Sequence, residues 1–263
     1  MTTQDNPIQE FETERETRIA GYAGLEDWQA QSMDWLKSAF DQKYMYNFAW
    51  GGRPIIQLPT DMAAFQELVW KTKPDLIIET GIAHGGSLVM SASLLAMIDY
   101  CDAVENGGVV DPKTAKRRVL GIDIDIRAHN RAAMEAHPMA AKIDMFEGSS
   151  IEEDMIRRVH DYASGFERVL VCLDSNHTHD HVLAELNAYA SLATKDSYCL
   201  VFDTVIEDLP KNTFPDRLWA PGNNAKTAVH EFLKSHPEFA IDQEINNKLL
   251  ISAAPDGWLK RIA

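Results

Sequence analysis

Short, mainly apolar runs alternate along this chain with longer stretches that read as helices. The runs cover 76–78, 118–124, 143–146, 168–173 and 197–202. Runs of that length, bounded by polar or turn residues, are the mark of strands buried on both faces of a parallel sheet. Between them, 88–97, 128–136, 151–163 and 181–193 read as helices, the second stopped by Pro138. A helix at 227–234 and two closing strands at 239–242 and 249–252 end the series. The pattern predicts an α/β fold with a doubly wound, mostly parallel, seven-stranded sheet, because successive strand–helix units join through right-handed crossovers.

Ahead of the first strand the pattern changes. Residues 25–41 place Leu25, Trp28, Ser32, Trp35, Leu36 and Phe40 near helical spacing, and 60–72 turns Met62, Phe65, Leu68 and Val69 inward, with Thr60 or Asp61 as N-cap. The stretch 44–54 is dense in aromatics and ends in Gly51, Gly52, Arg53 and Pro54; it reads as a packed connector or as a lid over a site. Residues 1–20 read as an arm, mobile or held by a partner. The expected division is 1–58 for arm, helix and lid-like connector, and 59–263 for the sheet domain.

Composition narrows the function. The 263 residues are 45% hydrophobic, enough for one full core. A net charge of −15 argues against nucleic acid, whose phosphates call for a basic surface. No transmembrane span or signal peptide is expected, and a cytoplasmic location follows. Cys101, Cys172 and Cys199 have no CxxC spacing and read as reduced thiols. The aromatics at 28, 35 and 44–50 suggest core or a self-association surface, and a homo-oligomer is expected.

The chemistry collects where strands end. Glu79, Asp123, Glu147-Gly148-Ser149, Asp174 and Asp203 each follow a run, and open α/β sheets bind ligands at the carboxyl ends of their strands. After Glu79 comes a turn with Gly81, Gly85 and Gly86 that lets backbone approach a ligand and opens a helix N-terminus. Its spacing lacks a pyrophosphate cradle, and Asp123 suits ribose hydroxyls, so a nucleoside without phosphates is favoured over NAD. Asp174 and Asp203, on strands roughly 5 Å apart if adjacent, would repel unless a hard cation such as Mg²⁺ lay between them. His177, His179 and His181 open a helix, where a spacing of two does not share a face. At most one reaches the site, with His177 the candidate general base. His84 lines the site or packs on the helix.

The runs IIETGIAHGGS, GIDIDIRAHN, EGSS and CLDSNHTHDHV, with the tail NNKLLISAAPDGWLKR, resemble the cephalosporin hydroxylase/rhamnosyl O-methyltransferase family over 45–262. The resemblance implies a class I S-adenosylmethionine-dependent methyltransferase acting on a hydroxyl of a small molecule or glycan, often a surface-polysaccharide sugar or a nucleotide sugar. It implies that Glu79, Gly81, Ala83, His84 and Ser87 hold the methionine part of the cofactor, Asp123 the ribose, and Ser149 and Ser150 the adenine side. By likeness to catechol-type enzymes, Asp174 and Asp203 hold the cation, with Thr204 in place of an Asn ligand and His177 in place of a Lys base. Phe202 stands where one branch has the first acid of a pair. Two alternatives go with the family name and fold: a hydroxylase using His177, His179 and Asp174 on iron, and a non-catalytic cofactor-binding subunit.

Overall fold

The structure is a computed structural model that describes residues 6–112 and 116–263, so residues 1–5 of the expected arm and residue 113 of the expected 105–113 loop lie outside the described residues. The rest of the arm is not an irregular tail. Asn6 accepts a hydrogen bond from Ile8 N and Pro7 sits in the first turn, and from there α1 runs over Pro7–Tyr22. That cap-and-proline start is a helix signal in its own right. α2 (Glu26–Asp41) follows and buries Leu36 against Met45, Leu58, Val205 and Leu209. β1 (Phe48–Trp50) and β2 (Arg53–Ile55) then form a hairpin around Gly51 and Gly52, which supply the positive φ a tight turn needs. α3 (Pro59–Thr72) buries Phe65, Leu68 and Val69 as expected, but Leu58 is its N-cap. Asp61 is therefore freed from capping and turns to the strand-end side of the molecule.

β3 (Leu76–Thr80) is buried along its whole length. α4 (Gly86–Asn106) is longer than the sequence suggested and runs into the expected loop. By length and composition α4 could cross a membrane, which corrects the expectation that no such stretch exists. Here it lies on the sheet and buries Leu88, Val89, Leu95 and Ile98 in the core. β4 (Arg118–Asp123), α5 (Ala128–Glu135), β5 (Ile143–Glu147), α6 (Glu153–Ala163), β6 (Val169–Leu173), α7 (His179–Tyr189) and β7 (Tyr198–Val201) continue the alternation. α8 (Ala225–Phe232) starts at Asn224 with a reciprocal cap to Thr227. β8 (Phe239–Ile241) is as expected. The second closing strand is not at 249–252: Asp242 caps α9 (Gln243–Leu249), and the strand is β9 (Trp258–Arg261).

The sheet order is β5-β4-β3-β6-β7-β9-β8, with β9 antiparallel to both neighbours and the other pairings parallel. This is the α/β seven-stranded fold the alternation predicted, preceded by N-terminal helices. Apolar clusters cover both faces, one built on α3 and α4 and the other on α6, α7 and α8. Each Leu or Phe fully buried there is worth roughly 1.5–3 kcal/mol. The three cysteines are free thiols. β4 and β6 flank β3, so the strand order reverses at β3 and a crevice opens above Thr80 and Leu173.

Candidate active site

The loop after β3 carries unusual backbone. Gly81, Ala83 and Gly85 have φ of +90°, +46° and +81°. Glycine meets that without strain, whereas alanine in the left-handed region costs about 1–2 kcal/mol. A Cβ on Gly81 would strike the carbonyl of Asp174, so the loops after β3 and β6 touch backbone to backbone. Asp123 holds the turn from the neighbouring strand, its Oδ2 accepting from Ile82 N at 2.8 Å and Oδ1 from Asp125 N at 3.1 Å. Glu79 is buried and accepts from the Ser87 hydroxyl; burial pushes its carboxyl up to about 7, and the Ser87 bond only partly offsets this.

Beside this turn lies a cavity of about 620 Å³. Gly81, Ala83, His84 and Ser87 line it, as do Asp174, His177 and Asp203. The ligand atoms of these last three lie within 4.8 Å of one another, and His177 Nε2 is 2.9 Å from Asp203 Oδ2. Asp203 is held at φ +58°, a left-handed conformation that aspartate tolerates better than most residues. Burial, then the charges of Asp203, Glu79, Glu185 and Asp61, push the Asp174 carboxyl well above the usual carboxylate range. Asp61 adds another buried acid; it accepts from Ser252 Oγ at 2.6 Å and Ala253 N at 2.8 Å, and burial raises it to about 7. Among the described residues, no Lys or Arg pairs with Asp61, Glu79, Asp174 or Asp203. Two carboxylates and an imidazole this close, with no protein cation to neutralise them, make a donor set that fits a divalent ion.

Other expected residues sit elsewhere. Thr204 is buried, its hydroxyl donates to Pro255 O at 2.6 Å, and it does not line the cavity, so it is not in place as the expected third ligand; the third group beside Asp174 and Asp203 is His177. Ser150 is buried and donates to Glu185 Oε1 at 2.6 Å, while the Ser149 carbonyl accepts from Glu152 N where α6 begins. Neither they nor Asp123 line this cavity; they stand at the ends of β4 and β5. His179 Nδ1 is 2.8 Å from Thr227 Oγ1, and His181 Nε2 faces Ser150, Ser175 and Glu185. The two-histidine set that iron oxygenation needs is therefore not assembled. The cavity is also lined by residues the strand-end argument does not single out: Lys43, Tyr46, Phe214, Arg217 and Trp219. Trp219 meets the His177 ring edge-on at 4.8 Å, and the Arg217 guanidinium lies 5.0 Å from the Trp219 ring centre.

Known proteins share this fold. Two solved structures have the same fold: apo CmcI-N160, at 18% identity and TM-score 0.55, matched over 83% of this chain and 77% of that one, and CmcI-D160 with Mg and SAM, at 18% identity and TM-score 0.54, over 83% and 78%. Rhamnosyl O-methyltransferase of Mycobacterium tuberculosis (strain ATCC 25618 / H37Rv) is 26% identical over 77% of this chain and 73% of its own length. That of Mycobacterium leprae (strain TN) is 25% identical over 67% and 71%. The family described as rhamnosyl O-methyltransferase/CmcI matches residues 42–262, nearly the whole described sheet domain with its hairpin. With the cavity, the turn and the match in agreement, this chain belongs to the rhamnosyl O-methyltransferase/CmcI family and is an S-adenosylmethionine-dependent O-methyltransferase.

Proposed function

We propose that this enzyme methylates a hydroxyl of a sugar, carried on a nucleotide or in a surface polysaccharide, with a divalent cation at Asp174 and Asp203. The observation that carries this reading is the placement of two unneutralised carboxylates in the wall that also bears the Gly81–Ser87 turn. The cofactor's methionine end is assigned to Glu79, Gly81, Ala83, His84 and Ser87, its ribose to Asp123, and its adenine side to Ser149 and Ser150. Glu79 suits that role because a carboxylate buried without a cation is stabilised by an incoming ammonium group. When bound, the cofactor supplies the methyl group as an electrophile on sulfur. When bound, Mg²⁺ or a similar ion lowers the pKa of the substrate hydroxyl and orients it.

The protein's own groups do the rest. The Asp203 contact fits a His177 tautomer with its proton on Nε2, which leaves Nδ1 as the acceptor. His177 Nδ1 takes the hydroxyl proton as the substrate oxygen takes the methyl group. Trp219 and Tyr46 offer flat apolar faces to a sugar ring, and Lys43 and Arg217 offer charge to a phosphate linker. A second reading has His177 as a third ligand rather than the base, favoured by its place within the 4.8 Å group. Cation affinity of His177→Gln separates the two: unchanged for a base, weakened for a ligand.

The wider setting is proposed on the same footing. The division at residue 58, a cytoplasmic location and a homo-oligomer remain the reading; exposed Trp28 and Trp35 on α2 and Phe11 on α1 support a self-association face. The decisive experiment incubates the enzyme and cofactor with nucleotide sugars and glycans, with and without EDTA, and looks for the mass of one added methyl group. The reading predicts a methylated sugar that EDTA suppresses. Methylation of non-sugar acceptors alone would overturn it.

A further inference from the structure

The hairpin β1–β2 is fastened to the cofactor turn, and one side chain does most of the fastening. Arg53 Nε and Nη2 both donate to the carbonyl of His84, at 2.9 and 2.6 Å. The same Nη2 donates to Asn130 Oδ1 at 3.0 Å, and Asn130 Nδ2 donates to the carbonyl of Ala83 at 3.0 Å. Consecutive carbonyls of the turn are thus held from outside, at the residue whose φ is +46° and the one after it. Arg53 is half-buried and has no carboxylate partner in any ion pair of the described residues, so its charge is spent on this backbone. The remainder of the hairpin is anchored in the same direction. Trp50 Nε1 donates to Ser93 Oγ at 2.9 Å, His137 Nε2 is 2.9 Å from Gly51 O, and Gly86 lies so close to the Pro54 carbonyl that a Cβ would collide with it.

We propose that Arg53, acting with Asn130, is a positioning residue for cofactor binding: it fixes the strained Ala83–His84 segment so that the turn is already in its binding shape. A turn with three positive φ values is not the state a free loop prefers, and any population outside the binding shape lowers apparent affinity in proportion. The planar fork of arginine reaches one oxygen through two N–H groups and a neighbouring amide at once, which a lysine cannot copy. Pro54 and Ile55 of the hairpin, and Gln57 just after it, line the cavity, so one element braces the cofactor turn and walls the acceptor side. The inference rests on the cofactor placement proposed above.

The test measures S-adenosylhomocysteine binding by calorimetry on Arg53→Gln, Arg53→Lys, Asn130→Ala and Asp123→Asn, together with divalent-cation affinity, melting temperature, and KM and kcat. Arg53→Gln is expected to weaken binding about tenfold, a size in line with loss of charge-assisted hydrogen bonds. It raises KM for the cofactor while kcat at saturation and cation affinity stay within twofold of wild type, roughly the limit of a neutral change. Arg53→Lys falls between, and Asn130→Ala shows the same pattern if Arg53→Gln melts too early to assay. Wild-type binding by Arg53→Gln overturns the proposal while Asp123→Asn still binds weakly. If Asp123→Asn also binds as wild type, the cofactor placement fails and the proposal with it. A parallel loss of cation affinity and kcat would mean general distortion and would also overturn it.

Discussion

The two ends of the parallel sheet use the same residue types to opposite effect. At the amino end, Asp75, Asp99 and Asp102 meet Lys73, Arg117, Lys142 and Arg168 in one network. Arg117 alone reaches Asp99 at 2.5 Å and Asp102 at 2.7 Å, Lys142 also binds Asp99, and Arg168 reaches Asp75 at 2.7 Å. Burial raises the Asp102 carboxyl, but the Arg117 and Lys73 cations outweigh it and hold it below its ordinary value. At the carboxyl end, Asp61, Glu79, Asp174 and Asp203 are gathered with no such cation, and burial drives three of them upward. Acids are common at both ends of the strands. What marks the site is acids brought together and left unneutralised, an arrangement that costs stability unless a ligand supplies the charge.

Substitutions should therefore act in opposite directions at the two ends. The largest effect is expected at the carboxyl end: Asp174→Asn and Asp203→Asn each lower kcat by about 10³-fold, the scale of a lost cation contribution. The same Asp174→Asn raises the stability of the ligand-free protein by roughly 1 kcal/mol, because it relieves repulsion. A fall in melting temperature with full turnover would break the contrast. At the amino end, Arg117→Ala removes the common partner of the half-buried Asp75, Asp99 and Asp102 and should cost about 2 kcal/mol in chemical denaturation, with kcat of the folded fraction unchanged.

A pH series sharpens the comparison. Glu79 and Asp61 hold their protons up to about 7 in the folded state, against ordinary values of 4.5 and 3.8. The folded state binds these protons more tightly than the unfolded state. Their contribution favours folding in acid and is lost as pH rises from the ordinary carboxylate range through about 7. Ligand-free protein should melt higher at pH 6 than at pH 8, and Glu79→Gln should flatten that slope. A slope unchanged in Glu79→Gln would contradict the assignment. The smallest effect is expected from Thr204→Val, about 1 kcal/mol of stability for a lost hydrogen bond to Pro255, with no change in cation affinity.

The sheet is readable because apolar runs such as 169–173 have few other ways to be buried, and the acids that end them mark the crevice. β9 escapes the run pattern because Trp-Leu-Lys-Arg is half polar, as a strand near the sheet edge can be, while Leu-Leu-Ile-Ser at 249–252 has a strand's composition but begins on the last residue of a helix capped by Asp242. Asp61 resembled a cap because its partners, Ser252 and Ala253, are 191 and 192 residues away. Likeness to catechol-type enzymes makes Thr204 a ligand in place of Asn, but the left-handed turn at Asp203 begins a 3-10 turn in which Thr204 bonds Pro255. Arg53 touches His84 across 31 residues, a contact no local pattern encodes. Local patterns fix elements; the pairing state of a charge is a tertiary property.

The unneutralised acids above β6 and β7 are proposed as a cation site. Calorimetric titration of Mg²⁺ or Mn²⁺ into the ligand-free protein tests it most directly. One site per chain is expected, lost in Asp174→Asn and in Asp203→Asn and kept in Thr204→Val. Absence of binding in the wild type, or binding that survives both aspartate substitutions, would contradict it.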